Sequence, residues 1–456
     1  MPQYSAPLVY YTSESKKPLR FFMLDVGEGL MVLLIFPDNT TMLFDCNVTN
    51  DNKEKVLHFL AEWIPKRHDS ESKTESQWID VFVNSHRDTD HFRGLKQVNE
   101  QFAIHSIWDS GQYKAGATGS TEYNYYMDLR RKIKAKYGEN ALVVPTPSNQ
   151  PIRTLDNAEI YCLSSIEDAV IEFSSSLKGL KEHHTNCIVL SIRYAGRSIL
   201  LTGDSDWYAW KNHIVPDFED TALLQNDILQ ASHHGSRSFF TDEEENDTID
   251  EEKNPDTTYT ASIQIINPSI TLIPCGSYET YHHPNKDALK LYEQFTKRDD
   301  RDDITQVYTT FDKGHFCGFI DNQGQWTVVP HRFRPYSPDE KHSFQIRCQM
   351  IDKNGTRTNK DSGDLFFTGT QVEFWIDAIK KIVAVSWEVS NGGANDHAHY
   401  QNIYDNSPDE KNQLKFKRDV SFEGLHLLRC EVLFDDNVRA VQIFAVRATH
   451  PYSTKR

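Results

Sequence analysis

The sequence predicts an α/β layered domain over residues 1–330, a linker over 331–341 and a β-rich module over 342–456. Three observations carry this. Short β-type apolar runs alternate with amphipathic helical stretches through the first two thirds of the chain. Period-two β runs around polar turns fill the last quarter. Between them, Arg332–Lys341 carries two prolines and no apolar period. A chain of 456 residues is also too long for one ordinary core.

Taken in order, Arg20–Val26 and Leu30–Phe36 read as strands joined by a Gly-Glu-Gly turn, and Thr41–Asp45 as a third. Glu54–Ile64 places Val56, Leu60, Trp63 and Ile64 on one face at helical spacing, and Tyr123–Tyr137 reads as another helix. Ile79–Asn84 is a buried-type strand that runs into a polar, histidine-rich loop. Strands follow at Glu159–Leu163, Cys187–Tyr194, Ser198–Thr202, Ile228–Ala231 and Ile270–Pro274. A helix at Asn285–Thr296 and β runs near 305–309, 315–320 and 326–329 close the domain. Asp242–Asp256 is acidic, too polar to join a core, and reads as a solvated insertion. In the module, Phe344–Ile351, Gln371–Trp375, Ile382–Val389, Leu425–Leu433 and Ala440–Val446 alternate in β style. No internal repeat is evident.

Aromatic residues make up 12% of the chain, which indicates a folded protein. Met1–Tyr11 lacks the basic and apolar regions of a secretion signal, and no apolar run approaches the roughly 18 residues that span a bilayer. Seven scattered cysteines do not make a disulfide framework or a CxxC zinc ribbon. A soluble, cytoplasmic protein with no membrane partner is expected; the oligomeric state, homo-oligomer included, stays open. The net charge of −17 argues against sequence-blind wrapping of a long duplex. It leaves a phosphodiester substrate compatible, because a bound metal pair can be the largest local charge in a site.

The decisive segment is Ser85-His86-Arg87-Asp88-Thr89-Asp90-His91, at the end of a buried-type strand. Imidazole and carboxylate together suit zinc, manganese or iron. Two aspartates this close would repel without a cation. Leu200-Leu201-Thr202-Gly203-Asp204 places another carboxylate just past a hydrophobic strand, where it could bridge two cations. Ala231-Ser232-His233-His234-Gly235-Ser236 and Tyr281-His282-His283-Pro284 again follow strands. Side chains at the ends of neighbouring strands converge on one rim of a sheet, so the pattern predicts one site.

His86-x-Asp88-x-Asp90-His91, Gly203-Asp204 and His233-His234-Gly235-Ser236 resemble the metallo-β-lactamase superfamily. The similar branch is that of DNA-uptake-channel nuclease-like domains and choline-phosphate esterases, which carry Asp at the position of Asp88. Leu24-Asp25-Val26-Gly27-Glu28-Gly29, Phe44-Asp45 and His283-Pro284 extend the resemblance over roughly residues 20 to 330. It implies a four-layer αββα fold and two divalent metal ions, Zn2+ or Mn2+. Carried over, His86 and Asp88 hold one ion, Asp90 and His91 the other, Asp204 bridges, and His233 completes one sphere. Either His283 or His184 completes the other; His283 is alternatively a leaving-group partner, and His234 lies behind the ligands, orienting one of them. Asp90, Asp204 and His283 are the expected catalytic groups, with Asp90 orienting a metal-activated hydroxide. The sequence departs from the branch at Phe92-Arg93-Gly94, where Arg93 is either a phosphate contact or an ordinary surface arginine.

In the module, Val385-Ser386-Trp387-Glu388-Val389-Ser390-Asn391-Gly392-Gly393-Ala394 reads as a strand with a tight turn at Asn391–Gly393. Trp387 suits a sandwich core, and Trp387, Asn391 and His426 are candidate ligand contacts. Trp387-x-Val389-x-Asn391-x-Gly393-Ala394, followed by Gly424-x-His426-x-x-x-Cys430, resembles the C-terminal sensor domain of adenylyl/guanylyl and SMODS-type nucleotidyltransferases. The Arg-Gly element expected between the two halves is missing. The resemblance implies sensing of a nucleotide second messenger in bacterial anti-phage defence. The expected function is therefore a two-metal phosphodiesterase or nuclease gated by a cyclic oligonucleotide. The alternatives are a small-substrate phosphodiesterase that degrades signalling nucleotides, and a non-catalytic nucleotide-binding protein with a structural metal.

Overall fold

The structure is a computed structural model. It describes residues 18–69, 73–111, 120–165, 182–243, 248–277, 282–297, 306–324, 326–331, 344–360, 364–378, 381–391, 399–403, 415–421, 424–435 and 439–449. The candidate linker Arg332–Lys341, the opening Met1–Tyr11, and Gly392 and Gly393 of the expected turn lie outside these residues.

The first strands are β1 (Leu19–Met23), β2 (Val32–Ile35), β3 (Thr41–Phe44), β4 (Val81–Asn84), β5 (Ile107–Asp109) and β6 (Leu142–Val143). A second set runs through β7 (Arg153–Leu155), β8 (Ala158–Ser164), β9 (Val189–Tyr194), β10 (Arg197–Leu201), β11 (Ile228–Gln230), β12 (Ile270–Ile273) and β13 (Val307–Thr309). The chain then returns to the first sheet with β14 (His315–Ile320) and β15 (Trp326–His331). The sheet orders are β6-β5-β4-β3-β2-β1-β14-β15 and, in plain sequence order, β7 to β13. From β1 to β6, two antiparallel pairings are followed by three parallel ones. From β8 to β13 the same succession recurs.

Burial explains why these strands are continuously apolar. On β1, Leu19, Phe21 and Met23 face the second sheet, packing with Ile160, Leu190 and Ile192. Phe22 points the other way, into a core with Val56, Phe59 and Trp63 of the helix Lys53–Trp63 and with residues of Thr121–Tyr137. Leu200 and Leu229, on the outer face of the second sheet, pack with Trp210, Ile263 and Tyr292, from the segments 210–214, Ala261–Ile266 and Lys286–Phe295. Each sheet therefore has one face on its partner and the other on helices, so both faces of every central strand are dry. This is a mixed α/β architecture.

Two sequence expectations change here. Ile79–Asn84 is not one strand, because Asp80 breaks it: its carboxylate accepts from the Thr41 amide (2.8 Å) and pairs with Arg67 (2.6 Å). The acidic stretch Asp242–Asp256, outside residues 244–247, is anchored rather than merely solvated. Thr241 bridges Thr258, Glu251 accepts from the Thr260 amide at 2.8 Å, and Ile249 packs on the outer core. Within the stretch, one apolar side chain, Ile249, and one carboxylate, Glu251, supply anchors that its composition hides.

The C-terminal part is β-rich. Its strands are β16 (Phe344–Ile351), β17 (Arg357–Lys360), β18 (Leu365–Phe367), β19 (Gln371–Ala378), β20 (Ile382–Asn391), β21 (His399–Ile403), β22 (Lys415–Asp419), β23 (Gly424–Phe434) and β24 (Arg439–Thr449). They form two sheets, β17-β16-β19-β22 and β18-β24-β23-β20-β21, that share one core containing Phe374, Trp387, Phe416, Cys430 and Phe444. All seven cysteines are buried and unbridged. Among the described residues no helix is long and apolar enough to cross a membrane.

Candidate metal centre

Parallel strands end on a common edge, and that edge collects the ligand-type residues. β4 hands the chain to Ser85–His91, β10 to Gly203 and Asp204, and β11 to Ser232–His234. The turn before Asp204 needs glycine: Gly203 has φ +52°, and a Cβ there would lie 2.5 Å from Cys187 Sγ and 2.9 Å from Ser85 Cβ. Buried Gln230 fixes the same turn. Its Oε1 accepts from the amides of Thr202 (2.8 Å) and Gly203 (2.9 Å), and its Nε2 donates to the Ala231 carbonyl (2.7 Å). His233 and His234 both hold left-handed backbone, at φ +49° and +57°. Such conformations cost on the order of 1 kcal/mol or more each in a non-glycine residue and persist where the surroundings enforce them.

Asp204 is the hub. Its Oδ1 lies 3.3 Å from His91 Nε2, and its Oδ2 lies 3.7 Å from His86 Nε2, 3.6 Å from His233 Nε2 and 3.9 Å from His234 Nε2. Asp88 sits to one side, 3.6 Å from His86 Nε2 and 3.2 Å from His184 Nε2. Asp90 sits to the other, 3.4 Å from His234 Nε2 and 3.8 Å from His91 Nε2. Four overlapping groups result: His86, His91 and Asp204; His86, Asp88 and His184; Asp90, His91 and His234; and His184, Asp204 and His233. Within each, the ligand atoms lie no more than 4.8 Å apart.

The imidazoles are held from behind. The Nδ1 atoms of His91, His234, His233 and His86 meet Asp45 Oδ2 (2.7 Å), the Pro274 carbonyl (2.9 Å), Ser238 Oγ (2.7 Å) and Ser85 Oγ (3.1 Å). Each Nε2 is thereby turned inward. His91 Nε2, His234 Nε2 and Asp204 Oδ1 are buried and make no hydrogen bond to any described residue. Burial alone would favour neutral side chains, but the groups charge one another. His91 is held well above its usual range, against burial, by Asp204, Asp45 and Asp90. His234 is raised to about 9, against burial, by Asp204 and Asp90. Burial and then His91 lower His86 to about 3. Asp204 and Asp90 stay well below the usual carboxylate range, because the histidines outweigh burial. Asp204, 3% exposed, thus needs positive charge beside it, while Asp88 and Asp90 stay partly open to solvent.

Of the sequence candidates, His86, Asp88, Asp90, His91, His184, Asp204, His233 and His234 come together. His234, a candidate either to hold a metal or to stand behind a ligand, places Nε2 3.4 Å from Asp90 and joins one of the groups. His283 belongs to none of the groups found among the described residues; its Nδ1 bonds Glu28, and its ring lies 5.9 Å from that of His233. Arg93 is half-buried, in a two-residue strand paired with Cys46–Asn47, and also stands outside them. Asp45, Ser85 and Gln230 act on the site without having been singled out as site residues. The signal for Asp45 is a carboxylate directly after the apolar run Met42–Phe44 of a fully buried strand.

In the module, Trp387 is 1% exposed and its ring stacks on Phe416 at 5.5 Å, so it is a core side chain and not a ligand contact. Asn391 pairs in register with His426 across β20 and β23. His426 is half-buried and lines a cavity of about 110 Å³ between the two sheets.

Residues 326–448 match a family model described as the Adenylyl/Guanylyl and SMODS C-terminal sensor domain. The match implies a nucleotide ligand and suggests a nucleotide-sensing role in anti-phage-type signalling. It begins at the first residue of β15, earlier than the boundary expected from the proline-containing linker. Comparison with curated proteins finds no match. Among solved structures, the PmoD soluble domain from Methylocystis sp. ATCC 49242 is similar to part of the chain. The identity is 6% and the TM-score 0.19, over 23% of this chain and 90% of that one, too weak a likeness to carry an argument.

Proposed function

We propose that residues 18–331 form a metal-dependent hydrolase acting on phosphodiester bonds, and that the C-terminal module gates it on binding a nucleotide. The observation that carries the reading is Asp204, buried and facing four inward-turned imidazole nitrogens, with Asp88 and Asp90 on opposite sides. Buried nitrogens and a carboxylate oxygen without hydrogen bonds, each imidazole fixed through its far nitrogen, are the donor set a divalent ion needs. The motif order and the two helix-covered sheets support kinship with the metallo-β-lactamase superfamily.

His86, Asp88 and His184 would hold one ion and Asp90, His91 and His234 the other, with Asp204 between them and His233 beside it. A bound Zn2+ or Mn2+ pair supplies a water of lowered pKa and stabilises developing oxyanion charge. Asp90, partly open to solvent like Asp88 and unlike Asp204, would help hold an ion and would orient a water there as a general base. His283, whose Nδ1 is engaged by Glu28, would present Nε2 to the leaving oxygen.

The net charge of −17 favours a second reading, a phosphodiesterase for small signalling nucleotides. Hydrolysis of bis-p-nitrophenyl phosphate and of labelled single- and double-stranded DNA and RNA separates the two. The assays use zinc- or manganese-loaded protein, with and without cyclic oligonucleotides. Polymer cleavage that rises with one nucleotide supports the gated nuclease; consumption of the nucleotides with polymers intact supports the second reading. Asp90→Ala should lower turnover by at least about a hundredfold, the scale of a general base or of water positioning, with the fold retained. Near-normal hydrolysis by that variant would remove the assignment.

A further inference from the structure

The cavity in the C-terminal module is walled by Val372, Phe374, Phe416, Leu428 and Val446. Its volume of about 110 Å³ is comparable to the roughly 150 Å³ interior cavity known to admit benzene, so it suits one planar ring and not a whole nucleotide. Trp387, stacked on Phe416 at an interplanar angle of 17°, backs the wall and keeps it rigid.

Arg418 also lines this cavity. On β22, Phe416 and Val420 are buried while Lys417 and Asp419 are exposed, so strand alternation puts Arg418 on the inward side. Lys417, on the other side, lies 3.4 Å from Glu373. Arg418 pairs through its backbone with Val372, while its guanidinium makes no hydrogen bond or ion pair among the described residues. Its neighbour Asp419 accepts from Gln371 Nε2 at 3.3 Å. A half-buried guanidinium beside an apolar slot fits a ligand with a flat apolar part and an anionic part.

We propose that this cavity is the ligand site of the module: it takes one base of a nucleotide, Arg418 takes the adjoining phosphate, and His426 meets the edge of the base. The assignment rests on the nucleotide-sensing reading and gives it an address. β22 is also the edge strand of its sheet, and an inward charge can serve only to discourage edge pairing. The two roles separate by experiment.

Calorimetric titration of the full chain with cyclic di-UMP, cyclic UMP-AMP, cyclic di-AMP, cyclic GMP-AMP, UTP and ATP should give saturable binding of at least one that carries a single-ring, pyrimidine base. Arg418→Gln should weaken that binding by about tenfold or more, as expected for one charge-assisted hydrogen bond. Val389→Phe, which adds volume to the cavity lining, should abolish it, and Lys415→Gln, at an exposed position, should leave it unchanged. Near-UV circular dichroism verifies that each variant is folded. Arg418→Gln and Val389→Phe proteins that are folded and bind within twofold of the parent would place the ligand elsewhere and leave Arg418 an edge guard, while nucleotide sensing stands. No binding by the parent to any of the six would overturn the sensing reading and this site together.

Discussion

Asp45 shows how much a single side chain behind the site can matter. It is fully buried, accepts from the Ser85 amide (2.7 Å) and hydroxyl (2.6 Å), and holds His91 Nδ1 at 2.7 Å. Burial raises its pKa, and the His91 contact opposes that rise. Asp45→Asn keeps the shape but removes the charge that sets the His91 tautomer. The expected result is a ten- to hundredfold loss of Zn2+ affinity, the usual scale for such supporting partners, measured by competition with a chromophoric chelator. Unchanged affinity would show that His91 does not depend on Asp45 for its orientation. Sequence reading singled out the residues that the fold gathers into groups able to hold a metal, because two histidines and two aspartates crowd one short segment. It left Asp45 outside the site because the histidine that Asp45 faces lies 46 residues away in sequence, so its place after a buried strand did not reveal its partner.

At the scale of elements, the ends of β10 and β11 are locked together by Gln230. The Gln230→Leu substitution is nearly isosteric but strands the Thr202 and Gly203 amides and the Ala231 carbonyl, while the Gly203 carbonyl keeps the His233 amide. Each buried unsatisfied group costs about 1–3 kcal/mol, so a loss of about 2–4 kcal/mol in urea denaturation is expected, together with weaker metal binding through a misplaced Asp204. A variant as stable as the parent would show that the turn at Thr202–Asp204 holds without this lock. Strands such as β1, β14 and β16 are legible from their apolar runs. The break at Asp80 and the anchoring of the acidic segment are not, since each depends on partners distant in sequence.

Across the whole molecule, the three carboxylates of the site crowd around a cluster of imidazoles and one another. A divalent ion that binds only the folded protein should stabilise it by mass action. Chelation with EDTA should therefore lower the melting temperature, and zinc or manganese should restore it. A melting curve indifferent to both would remove the metal from the account of folding. The two parts of the chain meet at β15, which hydrogen-bonds along β14 and also contacts β20 and β23 of the module. A nucleotide can gate the proposed hydrolase only if it binds the active arrangement better than the resting one, and β15 is the strand both parts share.

What the sequence determines by itself is the alternation of strands and helices, the β-rich nature of the last quarter, and the residue types that could hold metal. Those follow from local periodicity and from charges too close to be stable without a partner. Only the tertiary structure decides which histidines join. His184 lies on a four-residue helix, Glu182–Thr185, and its ring approaches Asp88, while His283, equally plausible by composition, is claimed by Glu28. It likewise sends Trp387 into the core and leaves His426 on the cavity. The physical reason is the same in each case: a side chain's partner is set by the register and parallel ends of strands far apart in sequence, and no local pattern encodes that distance.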